Sequence, residues 1–210
     1  MSANRIVTRQ TEELFQASES GDVKAVAELV KDPEADVNWH CKQSYGATPL
    51  IAAISNGHRE VVQMLLQANA ELEALKTPDR NSPLHEAAFR GDPDILDLIL
   101  KKVLEKPEDE AAELINLQNQ NGSIPLHHAC YCDTSNLAVA QLLIETGSNV
   151  NALDEQGYSP LIVAAKKNQI EVIDFLRKNG ADTTLKNSFG ENALHFAELR
   201  NNTDAIHLLE

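Results

Sequence analysis

One line of sequence is repeated five times along this chain, and the repetition limits the possible folds more than any other feature. The first clear copy reads "GATPLIAAISNGHREVVQMLL", and every copy carries a leucine at the same place. These anchor leucines are Leu50, Leu84, Leu126, Leu161 and Leu194, at intervals of 34, 42, 35 and 33 residues. A period of about 33 residues indicates a stack of small units that bury their apolar faces against one another.

A sixth, degenerate copy precedes the five. The stretch "LFQASESGDVKAVAELVKDPEADVN" follows the same frame, with Leu14 aligned on Leu50. Its first helix has polar residues where later copies are more apolar, as expected of a terminal repeat with one face in water. These polar residues are Glu12, Glu13, Gln16, Glu19 and Ser20. We therefore interpret residues 11–43 as an N-terminal cap.

Within each copy the residue order predicts two helices and a loop. A Pro after Thr or Ser suits the first turn of a helix, where the hydroxyl caps the free amides. About seven residues after the anchor leucine comes a residue type that tolerates the left-handed conformation. These residues are Gly57, Gly91, Asp133, Asn168 and Asn201. Apolar residues at helical spacing, such as Val61, Val62, Leu65 and Leu66, then predict a second helix, followed by a hairpin-like loop.

This pattern resembles the ankyrin repeat, above all in "SPLHEAA" at 82–88 and in "GADTTLK" at 180–186. The resemblance covers about residues 11–210. It implies an all-α solenoid of about six stacked helix–turn–helix units, joined by β-hairpin-like loops that we call fingers. We expect one domain over 1–210, with repeats at 11–43, 44–77, 78–119, 120–153, 154–186 and 187–210.

Several segments depart from the repeat. The stretch "KKVLEKPEDEAAEL" at 101–114 lengthens the third copy, and its charge density suggests a solvated excursion from the outer helix or loop. "TSN" at 134–136 lengthens the turn of the fourth copy. Arg80 occupies a finger position at which the other copies have glycine, so its turn must differ or be strained. Those glycines are Gly46, Gly122, Gly157 and Gly190.

Composition excludes several partners. The formal charge is −14, from 32 acidic and 18 basic residues, so the surface repels nucleic-acid phosphates and anionic lipids. We expect no membrane partner. The charge also disfavours nucleic acid, but a direct nucleic-acid reader stays an alternative because basic residues cluster locally at the ends of the inner helices. Three cysteines cannot all pair, and the polar start "MSANRIVTRQTEEL" lacks a signal-peptide core. These features favour an intracellular protein of the cytoplasm or the nucleus. By resemblance we expect a monomer.

The stretch "HHACYC" at 127–132 has the density of a metal site or a thiol active centre. At about 100° per residue, however, His127 and Cys130 lie on one helix face and His128 and Cys132 on another, so the four cannot surround one tetrahedral ion. His127 is also the histidine of the repeat, matching His85 and His195. "HEAAF" at 85–89 lacks the second zinc-binding histidine, and no phosphate-binding loop is present. We predict no catalytic residue, metal or cofactor.

The resemblance implies that partners dock on the concave side, at the last two residues of each inner helix and at the fingers. The helix positions are Ser55, Asn56, Phe89, Arg90, Tyr131, Cys132, Lys166, Lys167, Leu199 and Arg200. They include two aromatic and four basic residues and no carboxylate, which favours a protein or peptide segment that is apolar with acidic flanks. The alternative is that Phe89 packs on its neighbour and the lysines solvate the surface.

The finger positions form a second row. They are Trp39 and Tyr45 in a long first finger, then Asp79, Arg80, Asn121, Gln156, Tyr158, Phe189 and Glu191. Exposed aromatic residues on loops indicate binding. Together the two rows predict a non-enzymatic adaptor or scaffold. A rival hypothesis comes from the last residues, "AIHLLE", which stop at a second helix without a polar cap. The chain would then be the substrate-targeting portion of a longer enzyme with catalysis beyond residue 210.

Overall fold

The computed structural model describes residues 7–76, 78–131 and 136–210, and the regular structure in these ranges is helical, without a β-strand. The chain divides into two compact units, 1–83 and 84–210, and each is described by itself. Cys132 and Asp133, which the sequence analysis assigned to a binding surface and a turn, lie outside the described residues, as does most of the "TSN" insertion.

The first unit contains two helix–turn–helix repeats. The helices are α1 (Arg9–Ser20), α2 (Val23–Leu29), α3 (Pro49–Asn56) and α4 (Arg59–Gln67), with a 3-10 turn at Lys42–Ser44 in the finger between the repeats. The inner helices α1 and α3 pack on each other, the outer helices α2 and α4 do the same, and each inner helix packs on its own outer helix. The predicted pairing of helices within a repeat is confirmed.

Helix ends in this unit follow the predicted chemistry. The Thr48 hydroxyl accepts a hydrogen bond from the Ile51 amide at 3.3 Å and caps α3. Gly21 and Gly57 end α1 and α3 in the left-handed conformation, both with φ of 78°. On α1, Leu14 and Phe15 are buried, whereas the polar residues predicted for the cap are exposed, with Glu13 half-buried.

The first unit has a small core under its finger. Buried side chains of Phe15, Cys41, Ala47, Ile51, Ala52 and Ala74 pack together, with Trp39 against them. The Trp39 ring meets Phe15 edge-on, with centroids 5.8 Å apart and planes at 88°. An edge-to-face pair of this kind adds about 0.5–1.5 kcal/mol beyond the area it buries. Trp39 therefore stabilises the packing of the first finger on this core.

The second unit begins within α5 and contains the other four repeats. Its helices are α5 (Pro83–Arg90), α6 (Pro93–Val103), α7 (Glu108–Ile115), α8 (Pro125–Ala129), α9 (Leu137–Glu145), α10 (Pro160–Lys167), α11 (Ile170–Lys178), α12 (Ala193–Leu199) and α13 (Thr203–Leu209). The inner helices α8, α10 and α12 pack in series, and so do the outer helices α6, α9, α11 and α13. None of the helices described in either unit has the length and apolar character to cross a bilayer.

The insert of the third repeat forms an additional helix. Its first residues extend α6 to Val103, and α7 then packs against α6. Ala111, Leu114 and Ile115 of α7 are buried, whereas its acidic residues face solvent. The expectation of a solvated excursion is therefore wrong for one face of the insert. Apolar residues three and four positions apart give this helix a side that can be buried.

The fingers are hairpin-like, as predicted. Isolated antiparallel bridges join Cys41 to Ala47 and Lys76 to Asn81 in the first unit. In the second unit each finger begins with a side chain, Asn119, Asp154 or Asn187, whose oxygen accepts two backbone amides of the same finger. Neighbouring fingers are joined through the backbone, since the Glu155 amide donates to the Asn121 carbonyl and the Ser188 amide to the Gln156 carbonyl, both at 2.9 Å.

Asparagine side chains connect successive repeats in the turns that follow the outer helices and α7. The Asn151 amide group donates to the Gly180 carbonyl at 3.0 Å and accepts from the Asp182 amide at 2.9 Å. Asn116 makes the equivalent pair of bonds to Gly147 and Asn149. In the first unit Asn38 accepts from the Glu71 amide at 2.8 Å. Each asparagine therefore binds backbone groups in the corresponding turn of the next repeat.

Candidate functional site

The candidate surface in the second unit, which we call the inner-helix row, lies at the C-terminal ends of the inner helices. Its residues are Phe89, Arg90, Tyr131, Lys166, Lys167, Leu199 and Arg200. Three apolar side chains project into solvent, with exposed fractions of 52% for Phe89, 53% for Tyr131 and 65% for Leu199. Arg90, Lys166 and Arg200 are exposed and Lys167 is half-buried. Ser55 and Asn56, at the same positions of the first unit, are exposed too.

These residues are exposed because of where each inner helix ends. A left-handed residue follows the helix, Gly91 with φ of 78° after α5 and Asn168 with φ of 64° after α10. The left-handed residue ends the helix and changes the direction of the chain directly after these side chains. The residues predicted to end the helices, Gly57, Gly91, Asn168 and Asn201, all have positive φ.

Lys166 contacts two aromatic rings. Its ammonium nitrogen lies 4.7 Å from the centroid of the Tyr158 ring and 5.8 Å from that of Phe196. It also lies 3.5 Å from the Tyr158 hydroxyl, to which it donates. The two rings are neighbours, with centroids 6.3 Å apart. A cation over an aromatic face at an exposed site contributes about 0.5–1 kcal/mol, so the two rings restrict where this lysine points.

Lys167 makes an equivalent contact in the opposite direction along the stack. Its ammonium nitrogen lies 4.2 Å from the centroid of the Tyr131 ring, which belongs to the preceding repeat. Phe196, by contrast, belongs to the following repeat. Two consecutive lysines are thus directed towards the repeats on either side of their own.

Phe89 rests on the half-buried His128, which in turn packs on the buried His85. Its ring meets His128 at 6.1 Å between centroids, and His128 meets His85 at 5.1 Å, both edge to face. Burial lowers the pKa of His85 to about 4 and that of His128 to about 3, so both rings are neutral at pH 7. The proximity of His85 lowers the pKa of His128 further. Neutral rings form an uncharged platform under the exposed phenyl ring.

His127 is part of the scaffold. Its Nδ1 accepts from the Ile124 amide at 3.2 Å, and its Nε2 donates to the Tyr158 carbonyl of the next repeat at 3.0 Å. Burial lowers the pKa of His127, which favours the neutral tautomer that these two bonds require. Other copies have Thr or Ser at the position of Ile124, as in Thr48, Ser82 and Ser159. Here the backbone amide of Ile124 is the hydrogen-bond partner of His127 Nδ1. Cys130 is completely buried, as predicted for a small apolar residue.

No cluster of three or more histidine, cysteine or acidic side chains suited to a metal ion occurs in residues 7–76, 78–131 and 136–210.

The predicted finger residues separate into two groups. Tyr45 is 67% and Phe189 71% exposed, and Asp79, Arg80, Asn121 and Gln156 also face solvent, with Glu191 half-buried. Trp39 and Tyr158 depart from the expectation of exposed loop aromatics. Trp39 is half-buried on the Phe15 ring, and Tyr158 is 9% exposed because it packs between Lys166 and Phe196. The expectation that the Tyr158 ring is exposed on its finger is therefore wrong.

Two residues of this surface were missed by the sequence analysis. His128 supports Phe89, and Phe196 supports Lys166. Both stand two positions after an anchor leucine, where the other copies have Ala52, Glu86 and Val163. Large rings at this one position of the repeat were the signal that could have identified them.

Comparison with known proteins supports the repeat assignment. The family model for ankyrin repeats, three copies long, matches residues 14–111 and 84–187. A crystal structure described as EF0377, an ankyrin repeat protein, superposes with a TM-score of 0.81 at 25% identity, covering 96% of this chain and 98% of the other. The predicted all-α repeat fold is confirmed.

Curated relatives are much longer proteins. The chain is 27% identical over 214 residues to the NAD-dependent deacetylase sir2B of Dictyostelium discoideum, which covers 90% of this chain and 27% of the deacetylase. It is 31% identical over 192 residues to the nuclear factor NF-kappa-B p105 subunit of Gallus gallus, covering 90% of this chain and 18% of that subunit. The chain therefore spans under a third of the length of these relatives.

Proposed function

Because the chain belongs to the ankyrin-repeat family, we propose that it is a protein-binding module, an adaptor or scaffold without a catalytic role of its own. The observation that carries the proposal is the composition of the inner-helix row. Three exposed apolar side chains and four cations share this row, without a carboxylate, in a chain whose formal charge is −14.

The proposed partner is a polypeptide segment with apolar residues and acidic residues. Exposed aromatic side chains and arginine are the preferred anchors of protein interfaces, because they bury large areas at little cost in side-chain entropy. Phe89 and Tyr131 supply the aromatic anchors, and Arg90 and Arg200 supply guanidinium groups. The row is preformed on helix ends, so a partner pays little for ordering it.

Exposed finger side chains form a second contact row in the proposal. Phe189 is the strongest candidate in the second unit, since 71% of its surface is exposed at a finger tip, and Tyr45 is its counterpart in the first unit. Exposed aromatic residues on loops are more informative than buried ones. We further propose that the protein acts as a monomer inside the cell, where the free thiols of Cys41 and Cys130 stay reduced.

Selection of short random peptides displayed on phage tests the proposal. We expect wild-type protein to enrich peptides that combine apolar or aromatic residues with Asp or Glu. A variant carrying Phe89→Ala, Lys166→Glu and Lys167→Glu should lose this enrichment. The matched control carries Lys101→Glu and Lys178→Glu, which reverse two charges on the outer helices α6 and α11.

Circular dichroism must first show equal helix content for all three proteins. Equal enrichment on the wild type and the triple variant would contradict the proposal, as would enrichment on neither. Binding of single-stranded DNA with a steep loss of affinity in salt would instead indicate a nucleic-acid reader.

The similarity to a deacetylase favours a second candidate function. The match covers 90% of this chain but 27% of the relative, so ankyrin repeats occur there as part of a longer enzyme. In this reading the inner-helix row selects a substrate for a catalytic domain on the same polypeptide. Sequencing the native transcript past the codon for Glu210 tests it, because an open reading frame that encodes a further domain is expected. A stop codon at that place would contradict it.

A further inference from the structure

We infer that the Lys166 ammonium and the Tyr158 hydroxyl form a binding site for one carboxylate, supplied by an Asp or Glu side chain of a partner polypeptide. We call it the carboxylate site. The inference rests on the proposed function and deepens it, because it names the chemical group that is recognised and the two atoms that bind it. It also assigns a positioning role to Phe196, whose ring holds the ammonium and does not itself need to touch the partner.

The residues of the carboxylate site are unusual for their places in the repeat. Among the five clear copies, only the copy anchored at Leu161 has a tyrosine three positions before the anchor leucine, and only this copy has a lysine five positions after it. These two residues are Tyr158 and Lys166. The repeat itself requires neither of them, so their contact is a property of this chain.

The Lys166 side chain is exposed, and its ammonium contacts aromatic rings and a hydroxyl. The nitrogen lies 3.5 Å from the Tyr158 hydroxyl oxygen, 4.7 Å from the centroid of the same ring and 5.8 Å from that of Phe196. Lysines of the outer helices instead pair with a carboxylate one helical turn away, as in Lys101 with Asp97 at 2.6 Å. In the part of the chain that the structure describes, no carboxylate lies within 4.0 Å of the Lys166 nitrogen.

Glu191, the acidic residue of the following finger, is bound within its own repeat. Its Oε2 accepts from the Asn187 amide group at 2.9 Å, and its Oε1 lies 3.5 Å from His195 Nε2. These contacts direct the Glu191 carboxylate to side chains other than Lys166. The charge of Lys166 is therefore left for a carboxylate from another molecule.

The Tyr158 hydroxyl supplies the second donor. Tyr158 is 9% exposed, because its ring packs between Lys166 and Phe196. A phenol both accepts and donates, and within the described residues this hydroxyl accepts from Lys166 without an acceptor for its own hydrogen. A carboxylate at this place accepts from the ammonium with one oxygen and from the phenol with the other. The site thus offers two donors to one planar anion.

The aromatic rings hold the ammonium without neutralising it. A ring attracts the cation through its quadrupole and carries no net charge, so the full positive charge remains available to a ligand. The contacts with Tyr158 and Phe196 also reduce the rotamer freedom of the long lysine side chain. A carboxylate that binds there meets a side chain that is already ordered, which lowers the entropic cost of the ion pair.

Charge and the neighbouring surface favour a polypeptide as the source of the carboxylate. The chain has 32 Asp and Glu residues, so a polyanion such as nucleic acid is repelled outside the inner-helix row. Tyr131 and Leu199 occupy the position of Lys166 in the preceding and following repeats, and they are 53% and 65% exposed. A segment with apolar residues on both sides of its acidic residue matches this order, which selects a side-chain carboxylate over a chain terminus.

Fluorescence anisotropy with a peptide enriched in the phage selection tests the carboxylate site. The peptide is acetylated and amidated at its ends, so that Asp and Glu supply its only carboxylates, and it is compared with a version in which each of them is replaced by its amide. We expect the wild-type protein to bind the acidic version about tenfold more tightly, because hydrogen bonds to charged groups are stronger than those to neutral ones.

Lys166→Met removes the charge and keeps an unbranched side chain. It should reduce the preference for the acidic peptide to less than about twofold, whereas the same change at Lys178, on the outer helix α11, should leave the preference at about tenfold. Tyr158→Phe removes the hydroxyl and keeps the ring under the ammonium. We expect it to reduce the preference to about threefold, and the control Tyr131→Phe should retain the wild-type value.

Phe196→Leu separates positioning from a merely structural role. It removes the ring from Lys166 and keeps an apolar side chain in the half-buried position. We expect the preference for the acidic peptide to fall to about threefold, and Phe196→Tyr should restore it. A loss of packing alone would lower the unfolding temperature and leave the preference unchanged.

The possible results separate the two claims. If no peptide is enriched on the wild-type protein, the proposed function fails and the carboxylate site fails with it. If peptides bind but the acidic and amide versions have equal affinity, or the preference survives in Lys166→Met or in Tyr158→Phe, the carboxylate site alone is overturned. A single-stranded DNA oligonucleotide that outcompetes the acidic peptide on the wild type and fails to bind Lys166→Met would also overturn it. Retention of the full preference in Phe196→Leu would overturn the positioning role.

Discussion

The imidazole rings of His85 and His128 meet edge to face, with centroids 5.1 Å apart, between two consecutive repeats of the second unit. His85 is completely buried and donates from Nε2 to the Ser123 carbonyl at 2.9 Å. Burial lowers the pKa of His85 to about 4 and that of His128 to about 3. Folding therefore requires both rings to be neutral.

Stability should fall as the pH drops from 6.5 towards 4. In that window the unfolded chain binds protons on these histidines and the folded chain does not, so protonation favours unfolding. One pKa unit corresponds to about 1.4 kcal/mol, which gives about 3 kcal/mol for His85 alone over the window. Urea denaturation at several pH values measures the effect. His85→Gln should flatten the pH dependence, and His207→Gln, at an exposed site, should leave it unchanged. Parallel pH curves for wild type and His85→Gln would contradict this account.

Removal of one asparagine bridge should loosen the contact between two repeats. Asn151→Ala loses the donor to the Gly180 carbonyl and the acceptor for the Asp182 amide. We expect a loss of about 1–2 kcal/mol in the free energy of unfolding, because each net hydrogen bond contributes about 0.5–1.5 kcal/mol. Hydrogen exchange should show faster exchange of the Asp182 amide. Gln118→Ala, at an exposed site after α7, serves as the control. An unchanged exchange rate of the Asp182 amide in Asn151→Ala would contradict the role of this asparagine bridge.

Replacement of Arg80 by glycine should stabilise the first unit. Arg80 has φ of 57°, in the same left-handed region as the finger glycines Gly46, Gly122, Gly157 and Gly190. This conformation costs an L-residue about 1–2 kcal/mol, and glycine avoids that cost. Glycine loses more conformational entropy on folding, however, which offsets part of the gain in stability. We expect a net gain of up to about 1 kcal/mol in urea denaturation. Asp79→Gly serves as the control, because Asp79 does not have positive φ and its replacement should lower stability. If Arg80→Gly lowered stability by the same amount, the Arg80 backbone would not be strained.

The repeat frame could be predicted because it depends on local chemistry that recurs. Thr48 and Ser159 cap their helices through the hydroxyl, and Gly57 and Asn168 end them with positive φ. The strain suspected at Arg80 from a missing glycine is also visible in its backbone. Such features depend on a few neighbouring residues, so the sequence contains them directly.

Side-chain direction was harder to predict, because it depends on residues far apart in the sequence. Tyr158 and Phe196 are 38 positions apart, yet their rings are neighbours. A finger position alone therefore did not show that the Tyr158 ring folds back and is buried. The helix α7 was missed for another reason, since its charged residues hid the apolar spacing of Ala111, Leu114 and Ile115.

The hydrogen bonds between fingers have a consequence for how such a chain can diversify. The Asn121 and Gln156 carbonyls accept these bonds, and the donors include the backbone amides of Glu155 and Ser188. These hydrogen bonds do not depend on the identities of the Asn121 and Gln156 side chains. If the fingers contact a partner as proposed, point substitutions at these tips can alter recognition while the spacing between fingers is kept, so that new binding preferences can evolve one residue at a time on an unchanged frame.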